Sequence, residues 1–347
     1  MSDAYYYYKM DKLVFKLFYL IGGVVAFAFI ASMISGCNSA YTGNAANKIP
    51  TENNEYPEVY FCQTSNCGKI LEDKISSANF SVYCAFYDID LRNIISALSK
   101  KSKSADVKVV MENSTYNGQI KGDGLRIVDN SGIMHNKFCV IDNGIVITGS
   151  FNPTENDNYN NDNNIIVVYS NLLSKNYKDE FEELWNSNQR KSKNTITTEL
   201  YINGIKIENY FCPEDCQLEL SSKSSQESGL YKIINLIRNA EESVKIASFT
   251  FTHEAIADEL IKADARGVNV TILTESRQRN VMGSQYQRVK DFGLAIRLDG
   301  NKYTMHHKFI VIDDKIVITG SPNFTLGGFN KNDENFLIIH DKNITAY

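Results

Sequence analysis

Two stretches of this chain carry the same set of chemically able side chains. Each reads H-x-K-x4-D-x6-G-S-x-N. The first supplies His135, Lys137, Asp142, Gly149, Ser150 and Asn152; the second supplies His306, Lys308, Asp313, Gly320, Ser321 and Asn323, 171 residues further on. On an extended strand, positions i and i+2 share a face. The His and Lys of each copy therefore point together. An imidazole and an ammonium on one face suit an anionic oxyester, one for proton or phosphoryl transfer and the other for charge. Asp142 and Asp313 have the opposite parity and are expected to turn away from the cleft into structural roles. Gly-Ser after a second apolar run (IVIT) is expected to bring a hydroxyl and backbone N–H groups near the same phosphate. Imidazole titrates near neutral pH, so it can act as acid and base in one cycle.

The elements that must position these groups also occur twice. Val59-Tyr60-Phe61-Cys62 matches Asn209-Tyr210-Phe211-Cys212, 80–98 matches 242–260, 106–113 matches 267–276, 124–130 matches 293–300, and 134–152 matches 305–323. A period near 170 residues is too long for a solenoid and fits a duplicated domain. β-rich runs alternate with amphipathic stretches; Leu230, Ile233, Ile234 and Ile237 share one helical face. The expected fold is α/β: two lobes, each a mixed sheet flanked by helices, related by a pseudo-twofold axis. The expected boundaries are 58–190 for the first lobe, 191–208 for an interlobe linker and 209–347 for the second lobe. Residues 178–194 are expected to close the first lobe as a helix running into that linker.

The paired motif resembles that of the phospholipase D superfamily, also called the HKD family, over roughly residues 58–341. The resemblance implies one active site between the lobes and metal-independent phosphodiester cleavage without a cofactor. One His attacks phosphorus and forms a phosphohistidine. The other protonates the leaving alkoxide and then activates water or an alcohol. Lys137, Lys308, Asn152 and Asn323 would hold the non-bridging oxygens, with Ser150 and Ser321 in support. The family often carries Asn-x-Glu-Asn after the motif. Copy two has it as Asn332-Asp333-Glu334-Asn335, whereas copy one reads Asn161-Asp162-Asn163-Asn164. Glu334 is therefore expected to orient His306, leaving His135 without a carboxylate unless Asp162 substitutes. Family habit makes His135 the nucleophile, and this asymmetry weighs against it.

The chain has 347 residues, 36 Lys+Arg against 41 Asp+Glu, and a formal charge of −5. Its ordinary globular composition excludes collagen, low-complexity disorder and a polytopic membrane protein. The acidic balance argues against a constitutive coat of nucleic acid but not against a nuclease with a local basic cleft. Leu17 to Gly36 is an uncharged apolar run preceded by Lys9, Lys12 and Lys16. It reads as a transmembrane anchor over 17–37 with a cytoplasmic tail at 1–16 and the bulk of the protein outside the cytosol. Ile34-Ser35-Gly36-Cys37 also resembles a lipobox, which would make the run a lipoprotein signal. Residues 38–57 read as a flexible stalk.

Cys62 with Cys67, and Cys212 with Cys216, are expected as short disulfides; Cys84 and Cys139 are expected as buried apolar thiols. His307 is turned off the motif face by parity, and His253 and His340 read as structural. No metal-ligand cluster and no obligate protein partner is expected. The first expected function is a membrane-tethered enzyme acting on phospholipid. The alternative is an extracytoplasmic endonuclease of DNA or RNA. A binding protein without catalysis is disfavoured by two intact motifs.

Overall fold

The apolar runs that flank each motif form strands buried on both faces. The computed structural model describes residues 49–129, 131–186, 194–217 and 227–346. In chain order the elements are β1 (Thr51–Glu52), β2 (Glu58–Phe61), α1 (Cys62–Ser65), α2 (Cys67–Ser77), β3 (Ser81–Phe86), α3 (Arg92–Lys101), β4 (Asp106–Glu112), β5 (Leu125–Val128), β6 (Lys137–Ile141), β7 (Ile145–Gly149), α4 (Glu155–Tyr159), β8 (Asn164–Tyr169) and α5 (Asn171–Trp185). They continue with β9 (Glu199–Ile202), β10 (Ile205–Cys212), α6 (Gly229–Arg238), β11 (Ser243–Ser248), α7 (Glu254–Ala265), β12 (Asn269–Thr274), α8 (Tyr286–Asp291), β13 (Ala295–Leu298), β14 (Lys308–Ile312), β15 (Ile316–Gly320), α9 (Leu326–Asn330) and β16 (Glu334–His340).

The first sheet runs β2-β8-β7-β6-β3-β4-β5 and the second β1-β9-β10-β16-β15-β14-β11-β12-β13. Each is mixed: β3-β4-β5 and β11-β12-β13 pair in parallel, and the remaining motif strands pair antiparallel. This is the expected α/β duplication. The expected tail, the expected membrane segment with Cys37, and positions 38–48 of the expected stalk lie outside the described residues. Among the described residues no helix is long and apolar enough to cross a membrane.

Two stretches expected as linkers enter the second sheet instead. Asn203-Gly204 forms a two-residue hairpin loop with φ of 51° and 76°, and Ile202 pairs with Ile205 across it. Asn-Gly tolerates the left-handed backbone that such a loop requires. Leu200, Ile202, Ile205 and Ile207 are all buried, which anchors the hairpin. The end of the expected stalk then pairs with it, Thr51 opposite Tyr201 and Glu52 opposite Ile202.

Strand alternation sorts side chains into three apolar layers. On β8, Ile165 and Val167 face the layer under α2 and α3, while Ile166 and Val168 face the middle layer. On β16, Phe336 and Ile338 face the layer under α6 and α7, while Leu337 and Ile339 again face the middle. Leu173, Tyr177, Phe181 and Leu184 of α5 fill that middle layer together with residues of both sheets. The helix expected to close the first lobe thus serves both lobes, because its apolar stripe needs two partner surfaces. Cystines link Cys62 to Cys67 and Cys212 to Cys216. A third joins Cys84 to Cys139, correcting their reading as apolar thiols. They lie directly opposite on antiparallel β3 and β6, so their side chains leave the sheet on one face.

Candidate active site

Each motif His lies just ahead of a core strand, and its backbone is latched to the other lobe. His135 N–H donates to Asp333 O at 2.8 Å, and Asp333 N–H donates to Ile133 O at 2.9 Å. In the twin, His306 N–H donates to Asp162 O at 2.9 Å and Asp162 N–H donates to Thr304 O at 2.8 Å. Buried carboxylates secure both latches: Glu112 Oε2 accepts from Met134 N–H and Glu275 Oε2 from Met305 N–H, each at 2.8 Å.

The latch decides which residue orients which imidazole. Residue 334 follows Asp333 and so lies beside His135, not beside the His of its own lobe. Glu334 places both carboxylate oxygens on His135 Nδ1, at 2.8 and 2.9 Å. This corrects the expected pairing of Glu334 with His306, and His135 has its carboxylate after all. His306 Nδ1 instead donates to Asn163 Oδ1 at 2.9 Å, and Asp157 Oδ2 lies 3.6 Å away. Asp162 contributes its backbone to the latch, and its carboxylate accepts from Asn301.

Lys137 and Lys308 are 2% and 1% exposed. Each ammonium donates to the carbonyl of its own motif His, at 2.7 and 2.8 Å. Aromatic rings wall them in: Lys137 lies 5.2 Å from the Tyr87 centroid and Lys308 5.3 Å from that of Phe249. The same rings meet His135 and His306 edge-on.

The serines are placed differently from expectation. Ser150 Oγ donates to Asn163 Oδ1 at 3.0 Å, and Ser321 Oγ donates to Glu334 at 2.6 Å; both are fully buried. Their hydroxyls are spent on the residues that orient the imidazoles. Gly149 and Gly320 permit this, since a Cβ at either would lie 2.2 Å from a carbonyl oxygen of the adjacent strand. Asn152 donates its N–H and its Nδ2 to Asp157 Oδ2, both at 2.8 Å. Its Oδ1, like that of Asn323, is buried without a partner. Asp142 and Asp313 sit at strand ends with φ of 53°. Asp142 accepts from the N–H groups of Asn79, Phe80 and Ser81; Asp313 accepts from those of Glu241, Glu242 and Ser243.

Burial dominates the electrostatics. It pushes Lys137 down to about 8, and holds Lys308 well below its ordinary value with Lys137 adding repulsion. His135 is lowered by burial against the pull of Glu334. His306 is well below its usual range, by burial and then by Lys308, Lys137, His135 and His307. Burial alone would raise Glu334, but His135 and Lys137 outweigh it and the carboxyl stays ionised. Burial thus disfavours the charged form of both imidazoles and both lysines. An entering phosphodiester supplies the negative charge that favours their protonated forms.

The remaining histidines contact other partners. His307 Nδ1 is 3.1 Å from Asn164 Oδ1, with its ring edge-on to Phe61 and Phe309. His253 is buried against Phe329, and His340 Nε2 bonds Glu208 at 2.8 Å.

The cardiolipin synthase, PLD-like domain family model matches this chain twice, over residues 71–185 and 233–347. The chain belongs to the phospholipase D superfamily of phosphodiesterases. A phospholipase D of Rickettsia conorii is 32% identical over 146 residues, covering 42% of this chain and 73% of that protein. A mitochondrial cardiolipin hydrolase of Xenopus tropicalis is 34% identical over 116 residues, covering 33% of this chain and 55% of that protein. The chain spans 55–60% of the length of the first cardiolipin hydrolases it matches. The phosphatidylserine synthase of Haemophilus influenzae shares the fold over 85% of each chain, with a TM-score of 0.62 at 13% identity.

Within these phospholipase D lobes, sequence reading missed Tyr87, Phe249, Glu112, Glu275 and Asp157. The first four had a signal. Tyr87 and Phe249 occupy one position of the repeat, just beyond β3 and β11, and Glu112 and Glu275 each stand next to last in the matched segments 106–113 and 267–276. Asp157 had none, because its repeat counterpart is Gly328.

Proposed function

We propose that the chain cleaves phospholipid phosphodiesters through a phosphohistidine on His135. One observation carries this reading: reciprocal backbone latches bring both motifs into one site, where Glu334 of the second lobe holds His135 of the first. With Nδ1–H donated to Glu334, His135 keeps Nε2 free to attack phosphorus. An N–P bond forms, the P–O bond to the leaving group breaks, and His306 Nε2 gives its proton to the departing alkoxide. Water or an alcohol then loses its proton to His306 and attacks phosphorus, releasing His135. Glu334 stabilises the cationic ring of the intermediate. Lys137 and Lys308 balance the charge on the non-bridging oxygens, a task that needs no metal ion. Asp142 and Asp313 serve the fold by tying strand ends.

The lipid reading is supported by the family model's description and by the names of the relatives. It also draws on the apolar run at 17–36, which we take as a tether holding the catalytic unit outside the cytosol. Three cystines fit an oxidising compartment. The test is a substrate panel with the detergent-solubilised full chain: cardiolipin, phosphatidylcholine, and single- and double-stranded DNA and RNA, with and without EDTA. Turnover of lipid that survives EDTA is expected. Turnover of nucleic acid alone would replace the lipid reading with the nuclease one, and loss with EDTA reversed by added divalent metal would refute metal independence. Because burial lowers the His135 pKa, the acid limb of kcat/KM is expected below the ordinary imidazole value of 6.5.

A further inference from the structure

The two lobes support their imidazoles with different chemistry. The 171-residue offset places Asn163 opposite Glu334 and Asp157 opposite Gly328. The second lobe thus has a carboxylate at the orienting position and a glycine at the first turn of α9. The first lobe has a neutral amide at the orienting position and a carboxylate at the first turn of α4. Resting on the mechanism proposed above, we infer that Asp157 is the first lobe's relocated carboxylate, a positioning residue that stabilises protonated His306 while Asn163 fixes the ring.

The geometry divides the two tasks. Asn163 Oδ1 accepts from His306 Nδ1 at 2.9 Å, which sets the tautomer, but an amide brings no charge. Asp157 Oδ2 lies 3.6 Å from the same nitrogen, beyond a hydrogen bond and well within Coulomb range. An opposite charge within about 4–6 Å shifts a pKa by roughly 1–3 units toward the charged form. Asp157 is 4% exposed, so water screens it weakly. Its placement is fixed: Oδ2 accepts from Asn152 N–H and Nδ2, Oδ1 accepts from Asn161 Nδ2 at 2.7 Å, and its own N–H donates to the helix-capping Thr154.

His306 needs such a counterweight. Lys308 at the head of the following strand, Lys137 and His135 from the first lobe, and neighbouring His307 all disfavour its cation, as burial does. The nearest carboxylate is that of Asp157, 3.6 Å away; Asp157 and Glu334 both act on Lys137 and Lys308, and Glu334 is committed to His135. The exchange of positions has a steric reason as well. At Gly328 an added Cβ would lie 2.4 Å from the carbonyl oxygen of Asn323. The second lobe therefore holds no side chain there without a backbone shift, whereas the first lobe accommodates Asp157.

The experiment compares wild type, Asp157→Asn, Asp157→Gly and Asp157→Gly/Asn163→Glu as detergent-solubilised full chains. Kcat–pH profiles are recorded on the better of cardiolipin micelles and a single-stranded oligodeoxynucleotide, both of which release an alkoxide. Bis(p-nitrophenyl) phosphate, whose leaving group needs no proton, is the control, and thermal melts confirm folding. Asp157→Asn keeps the side-chain shape and one acceptor oxygen while losing the charge and one accepted hydrogen bond. We expect its kcat on the alkoxide substrate to fall about tenfold or more, with KM not raised, and its alkaline limb to move down by about one pH unit. The nitrophenyl substrate should lose much less. The double variant, which gives the first lobe the second lobe's chemistry, should restore the limb. A folded Asp157→Asn protein with an unmoved limb, or equal losses on both substrates, would overturn the inference. His135→Ala and His306→Ala run alongside: full activity in either sinks the underlying mechanism instead.

Discussion

The two lobes share strand order, motif spacing and latches, yet several buried side chains find different partners in each. In one, Glu334 grips an imidazole directly; in the other an amide and a displaced carboxylate share that work. In one, Cys84 faces Cys139 across β3 and β6 as a cystine; at the same place in the other, Ile246 faces Ile310. Glu208 is buried among Lys206, Lys232, Tyr210 and His340, while its repeat counterpart Glu58 is more exposed and bonded to Tyr60 and Tyr169. The duplicated strand order persists while these side chains have changed partners. The difference teaches that a role belongs to a place in the fold, not to a position in a motif.

The largest expected effect comes from breaking the shared site. His135→Ala should reduce kcat by about 10⁴-fold or more, and His306→Ala by roughly 10²–10⁴-fold, read on the substrate that the panel selects. Near-normal turnover in either would mean that the lobes do not act together. Glu334→Gln tests the crossed pairing. It should lower kcat by about 10²–10⁴-fold, and rapid-quench labelling should show the loss in formation of the phosphoenzyme. If Glu334 instead served His306, phosphoenzyme formation from bis(p-nitrophenyl) phosphate, whose leaving group needs no proton, would be unaffected and only its decay would slow.

Smaller effects sharpen the structural side of the comparison. Cys84→Ala/Cys139→Ala should cost about 2–4 kcal/mol of stability, seen as a lowered Tm with the site chemistry retained. An unchanged Tm would show that this cystine contributes nothing beyond what Ile246 and Ile310 provide in the second lobe. Glu208→Gln should cost about 1–3 kcal/mol near neutral pH. Burial opposes ionisation of Glu208, but His340 and Lys206 prevail and hold it down to about 2. Its stabilising contribution is complete above the ordinary carboxyl value of 4.5 and fades as pH falls toward about 2. Acid titration of unfolding should therefore flatten in Glu208→Gln between those limits. Glu58→Gln, on a more exposed pair, should change stability by less than about 0.5 kcal/mol. Equal losses in both variants would erase the distinction between the two glutamates.

The sequence by itself determined the duplication, the α/β class, the strands that carry both motifs and the residues offered for chemistry. Those are properties of spacing and apolar periodicity, which act locally and repeat faithfully. It also carried the Asn203-Gly204 hairpin signal, legible from two residues between apolar runs. The tertiary structure alone decided partners. Glu334 lies 28 positions after His306 and 199 after His135, yet the latch between Asp333 and Ile133 gives it to the distant ring. The serines turned inward for the same reason: the orienting residues of the next strand needed a hydrogen bond there. Chain order cannot report which loop will be hydrogen-bonded to which, because backbone groups pair by proximity after the sheets have packed, and every residue carries the same donor and acceptor.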